Sequence, residues 1–366
     1  MLALLTVLFA LTAHASEPSR LLVEADRRVD RADYEVALDK LKAVDATALD
    51  PADRAWWLRM TADAHRQAAL DKGTADPAFH LDKSYEAHAQ CMQATAKGTA
   101  SHRRQCTERA PELTRAIEAR SGLLLTILEL GGAAAPSEAA ARCDQLGALV
   151  PKTLTSALCE ARLAWARKDV ERAESALTRA IERIDQARDG EFDGIAARAL
   201  STPLNGLGDI DKTQELLSLI PQTHRDGVQV QRILKSLDRY KTSLEPRKTA
   251  AYSDNSLKSW TAWVRGLTEA GLDALAVTEA EEAAKRFPDD PALHEIIAIT
   301  FINASARLPP YEGPARLDRM RRQRTWLTRA QQAATQCSQL KPDHPRCGAR
   351  ASTLAAQITQ LQAQLQ

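Results

Sequence analysis

Between Trp260 and Pro288 the chain reads WTAWVRGLTEAGLDALAVTEAEEAAKRFP. The stretch divides at Gly271 into two amphipathic segments, near 254–270 and 272–286, with apolar residues at the three- and four-residue steps of a helix. Gly271 stands at the turn, Ala276 and Ala283 offer small side chains where the two helices would touch, and Pro288 ends the second. The stretch predicts a helical hairpin.

The same pattern extends in both directions. Amphipathic segments recur along the chain with Gly, Pro, Asp and Asn between them, and β-branched alternation never persists. Helices are expected near 19–30, 33–45, 52–70, 77–95, 102–119, 136–147, 153–167, 169–187, 192–201, 211–220, 226–242, 254–270, 272–286, 290–305, 315–340 and 344–365, about 16 in all. The fold class is all-α. Hydrophobic residues at 44% and charged residues at 27% of 366 exclude extended disorder, while 4% aromatics with abundant Ala suit closely packed helices. Gly131 to Pro136 and Leu244 to Asn255 (LEPRKTAAYSDN) interrupt the pattern and divide it into helical hairpins over 16–130, 136–243 and 255–366. Both breaks are too short for flexible linkers, so one continuous array with two bends is expected.

The Trp260 to Pro288 stretch resembles a tetratricopeptide repeat, whose pattern of about 34 residues carries an aromatic and Leu-Gly in its first helix, small residues in its second and a closing Pro. Trp260, Gly271, Ala276, Ala283 and Pro288 match as the repeat-defining packing positions. The departures are Trp263 and Val264 in place of Leu-Gly, Leu267 in place of Tyr and Ala280 in place of Phe. Fainter echoes run from Ala32 to Leu38, from Cys159 to Glu182, from Gly208 to Pro221 and from Leu327 to Pro345. Leu308 to Pro314 (LPPYEGP) marks an insertion between Pro288 and Pro342. The resemblance implies an irregular α-solenoid of antiparallel helical hairpins. It also implies that the first helices of the hairpins line a concave face that receives a protein or peptide partner.

Met1 to Ala13 is an uncharged apolar run, and Ala13-His14-Ala15 before Ser16 has the small-x-small form that signal peptidase cleaves. A signal peptide over 1–15 is expected, with a periplasmic or secreted location. About 13 apolar residues fall short of the roughly 20 that span a bilayer, so no membrane span is expected after cleavage. A net charge of +1 gives no argument for nucleic acid. The basic run Arg316 to Arg324 (RLDRMRRQR) is interrupted by Asp318 and reads as a solvated helix face.

Six cysteines fall into three near neighbours: Cys91 and Cys106, Cys143 and Cys159, Cys337 and Cys347. An even count at spacings of about one helix-turn-helix suits an oxidising compartment and sequential disulfide pairing across adjacent antiparallel helices. An alternative is open at the first pair. His88 and Cys91, with His102 and Cys106, would place two ligands on one face of each of two helices, enough for a tetrahedral Zn²⁺ in an enzyme or metal-dependent factor.

Catalytic signatures are absent. The chain has no phosphate-binding glycine loop and no Cys-x-x-Cys. His294-Glu295-Ile-Ile-Ala298 lacks the second His that a zinc protease needs, and His294 with Glu295 reads as the exposed side of a helix packed through Ile296, Ile297, Ile299 and Phe301. Glu281 with Glu282 read as a solvated face, Asp290 as a helix cap, and Trp56-Trp57 as one core and one partly exposed residue. No catalytic residue, cofactor or metal is expected. The expectation is an exported scaffold for protein-protein interaction or assembly in the cell envelope, of unspecified oligomeric state.

Overall fold

The computed structural model describes residues 17–71, 73–96, 100–187 and 192–365. The expected signal peptide over 1–15 lies outside them. The protein is all-α, with no strand among the described residues. No helix in that range is long and apolar enough to cross a membrane.

In chain order the helices are α1 (Glu17–Asp30), α2 (Tyr34–Lys42), α3 (Pro51–Leu70), α4 (Pro77–Thr95), α5 (Ala100–Thr107), α6 (Ala110–Glu129) and α7 (Pro136–Leu149). They continue as α8 (Leu154–Ala166), α9 (Val170–Ile181), α10 (Phe192–Leu207), α11 (Ile210–Leu219), α12 (Gln222–Arg225) and α13 (Val228–Arg239). The last six are α14 (Glu245–Asp254), α15 (Leu257–Ala270), α16 (Asp273–Arg286), α17 (Pro291–Ala306), α18 (Pro314–Leu340) and α19 (Cys347–Leu365). Several begin on an aspartate followed by proline. Asp50 accepts from the Ala52 and Asp53 amides, Asp76 from Phe79 and Asp290 from Leu293, and Pro51, Pro77 and Pro291 occupy the first helical position. A side-chain oxygen there satisfies amides that have no intrahelical acceptor, and proline has no amide to lose.

Three elements differ from the sequence expectation. The segment read as one helix over 102–119 is two, because Pro111 in the first turn of α6 lacks the amide that would continue α5, and α6 runs on to Glu129, past the end expected at 119. The polar break from Leu244 to Asn255 is helical: a π-helical turn at Tyr240–Leu244 joins α13 to α14, and Pro246 lies in the first turn of α14, where it is tolerated. α10 runs past Pro203 to Leu207, beyond the end expected at 201.

The chain forms two compact units. The first extends to Ser121 and includes Asp144–Pro151; the second comprises Gly122–Cys143 and Lys152–Gln366. In the first, α3 packs against α1, α2, α4 and α5. Leu22, Ala25 and Val29 meet Leu38, Leu41, Met60 and Ala64 in its core. Small residues bring α3 and α4 close, and the Ser84 hydroxyl donates to the Ala62 carbonyl at 2.8 Å. Trp56 and Trp57 are both half-buried, rather than divided between core and surface, and the Trp57 indole N–H donates to the Leu41 carbonyl at 3.0 Å.

In the second unit α8 pairs with α9, and α10 gathers α9, α11 and α13. Ala176, Leu177, Ile181, Leu200, Leu216 and Val230 fill that part of the core. From α14 onward each helix packs on the next, and α15 also packs on α17, so the first helices of successive hairpins are neighbours. Trp260, Trp263, Leu267, Ala276, Ala283, Leu293, Phe301, Leu327 and Leu354 belong to one continuous core. α17 touches α15, α16 and α18, which explains why it is apolar all round.

Candidate functional site

The three cysteine pairs stand as disulfides, Cys91 to Cys106, Cys143 to Cys159 and Cys337 to Cys347, with Cα–Cα separations of 5.7, 5.5 and 5.8 Å. These separations lie within the range a cystine spans. Each pair ties neighbouring helices, and three such bonds suit an oxidising, extracytoplasmic environment. His88 lies one turn before Cys91 on α4 and is buried, which pushes its imidazole below the ordinary histidine range. The His102 side chain lies outside the described residues. The sulfurs of Cys91 and Cys106 bond to each other, and in that state neither is a thiolate ligand.

The repeat-defining positions are buried at the hairpin contact or sit at its turns. Trp260 and Ala283 are 0% exposed and Ala276 1%. Gly271 caps α15 with φ +76°, a left-handed conformation that any β-carbon would strain. Pro288 is exposed beyond α16.

Around this hairpin lies a polar cluster that sequence reasoning missed. Glu279 of α16 is 8% exposed, and its carboxylate accepts from the Trp263 indole N–H at 2.9 Å and from the Tyr252 hydroxyl at 3.1 and 2.9 Å. Burial and the hydrogen bond to Glu279 push the Tyr252 phenol up to about 12. Tyr252 also lies on Trp260, ring centroids 4.9 Å apart, and the Arg286 guanidinium stacks over the same Trp260 ring at 5.0 Å. Asn255, left-handed at φ 44°, accepts from both the Trp260 indole at 3.2 Å and Arg286 at 3.1 Å. Tyr240, packed edge-on against Trp263 at 6.2 Å, is pushed up to about 12, chiefly by burial. Tyr252 remains 48% exposed. The cluster thus presents one aromatic ring and one guanidinium at the surface, both fixed from beneath by buried groups. Nothing distinguishes Glu279 from Glu281 and Glu282 in the sequence except its place three residues after Ala276, on the face turned to α15.

His294 corrects its expectation. It is buried, because α17 is enclosed by three helices, and its Nε2 lies 2.6 Å from the Pro288 carbonyl. Glu295 is half-buried, pairs with Arg350 at 3.3 Å and lies 3.6 Å from the His344 Nε2. The basic run on α18 divides in two. Arg316 and Arg321 face solvent, whereas Arg322 is half-buried, lies over the Trp326 ring at 4.9 Å and donates to the Leu130 carbonyl at 3.3 Å. Asp318 is buried, and Arg321 pairs with it at 3.0 Å.

A histidine pair occupies the first unit. His65 of α3 and His80 of α4 bring their Nδ1 atoms to 2.9 Å, so one ring must donate and the other accept. Burial, His80, Lys42 and Lys83 hold the His65 imidazole down at about 4, opposed only by Glu86. The exposed Phe79 ring packs edge-on against both.

No protein-family model matches this chain, and no curated protein matches it.

Proposed function

We propose that this protein is an exported, tetratricopeptide-like scaffold of the periplasm or cell exterior that holds a protein partner and catalyses no reaction. The observation that carries the reading is the exposed Tyr252 beside Arg286, locked by Glu279, Trp260 and Asn255. Tyr, Trp and Arg are the residue types that dominate interface energetics, and a ring held in place before binding loses little entropy on contact. The neighbouring first helices α15 and α17 support the repeat reading, because stacked hairpins present one continuous surface. Three cystines support an oxidising location.

Crosslinking of the full-length protein in intact cells, followed by purification and mass spectrometry, should return one or a few defined envelope or extracellular proteins. Tyr252→Ala should lower their recovery at least tenfold while leaving the helical circular dichroism unchanged. Recovery equal to background, or a fractionation that finds the protein in the cytoplasm with reduced cysteines, would refute the reading.

A further inference from the structure

Cys337, His344 and Cys347 converge in a way the other cysteines do not. Among the described residues they are the group whose potential ligand atoms, two Sγ and one imidazole nitrogen, all lie within 4.8 Å of one another. Cys337 is in the last turn of α18 and Cys347 opens α19, both 0% exposed, and His344 lies in the connection between them. The two ring nitrogens of His344 have different surroundings. Nε2 faces the Glu295 carboxylate at 3.6 Å, and Glu295 is itself held by Arg350 at 3.3 Å. Nδ1 is buried and has no hydrogen-bond partner.

A buried ring nitrogen without a partner forfeits a hydrogen bond, and such a group calls for an explanation. The surroundings supply one. A metal-binding histidine characteristically gives its second nitrogen to a carboxylate, which fixes the ring and leaves the first nitrogen's lone pair on the metal. Here the Glu295 carboxylate stands 3.6 Å from Nε2, a short shift away from a hydrogen bond, and the nitrogen without a partner is Nδ1. Zinc bonds of about 2.3 Å to sulfur and about 2.0 Å to nitrogen put tetrahedral ligand atoms roughly 3.5–3.8 Å apart. The observed spread accommodates that geometry once the sulfurs are no longer bonded to each other.

We propose that Cys337, His344 and Cys347 form a thiol-gated metal site: a cystine when oxidised and, after reduction by a dithiol, a ligand set for one Zn²⁺ or similar thiophilic divalent cation. The dithiol's first thiolate attacks one sulfur of the Cys337–Cys347 bond and forms a mixed disulfide. Its second thiolate then displaces the protein sulfur. The reductant leaves as a disulfide, having given up two electrons and two protons, and the protein gains two thiols. Zinc binding then releases both thiol protons to solvent, with His344 Nδ1 as third ligand and water as fourth. Access is through the connection, since Lys341, Pro342, Asp343, Pro345 and Arg346 are all exposed and can open without disturbing the helices they join.

The test uses the full chain. It is reduced with dithiothreitol, freed of reductant by anaerobic gel filtration and titrated with Co²⁺, whose thiolate charge-transfer and tetrahedral d–d absorption report the ligands. The expected result is one Co²⁺ per chain with thiolate charge transfer, displaced by Zn²⁺ and absent before reduction. Cys337→Ser with Cys347→Ser should remove that equivalent although four other thiols remain. His344→Ala should weaken it at least tenfold, and Glu295→Gln should weaken it by a smaller factor with the spectrum retained. The proposal is overturned if the reduced chain shows no thiolate charge transfer, if the double serine variant binds like the parent, or if reduction abolishes the helical circular dichroism and Zn²⁺ does not restore it.

Discussion

Glu279 shows how much a single side chain can carry without any mark in the sequence. Its two neighbours in the same acidic run, Glu281 and Glu282, are exposed and half-buried, while Glu279 accepts the indole proton of Trp263 inside the core. Trp263→Phe removes the donor and also leaves a small void where the second indole ring packed in the core. The buried carboxylate then depends on Tyr252 alone, and the loss should be about 1–3 kcal/mol, measured by urea denaturation. His65 governs a pH response. Its imidazole is held at about 4 in the folded chain against 6.5 in the unfolded one, so the unfolded chain takes up the proton first as pH falls. The contribution is complete above 6.5 and is lost progressively between 6.5 and about 4. The melting temperature should fall across that window, and His65→Gln should flatten the slope. An unchanged slope would show that the histidine contact does not set it.

Three helix starts were legible, because Asp-Pro at residues 50–51, 76–77 and 290–291 marks caps by chemistry that needs no tertiary context, whereas helix ends such as that of α6 were not. Leu244 to Asn255 was not legible, because its polar composition fits a loop as well as a helix whose stability comes from packing on α15. His294 was misplaced for a related reason. Helical periodicity assigns one apolar face, and α17 is covered on nearly every side by neighbours that only the folded chain supplies. At the turn after α10, Gly208 has φ +64°, and a β-carbon there would clash with the Tyr240 hydroxyl oxygen and come within 3.2 Å of Leu275. Gly208→Ala should therefore destabilise the second unit by about 2–4 kcal/mol, the strain and the overpacking adding. The cystines act at the same scale. Removing the Cys143 to Cys159 bond by paired alanine substitution should cost about 3 kcal/mol of chemical stability. A loss below roughly 0.5 kcal/mol, the error of such a measurement, would mean that α7 and α8 are held by packing alone.

For the whole molecule, the all-α fold followed from periodicity and composition, and the cystines from cysteine spacing. The partition into two compact units did not, since it depends on which helices the chain returns to, and the first unit reclaims Asp144–Pro151 after the chain has left it. Two units predict unfolding that is not two-state. Trp56 and Trp57 report on the first unit, and Trp165, Trp260, Trp263 and Trp326 on the second. Tryptophan-to-phenylalanine variants that retain one set or the other should give different urea midpoints; coincident midpoints would argue for a single cooperative structure. The order of the disulfides bears on how such a molecule is made. Each cysteine is bonded to the next one in the chain, first to second, third to fourth and fifth to sixth. A polypeptide emerging N-terminus first therefore never has more than one cysteine waiting for its partner, provided oxidation keeps pace with emergence. Maturation then calls for a simple thiol oxidant, and an isomerase has no wrong pairing to undo.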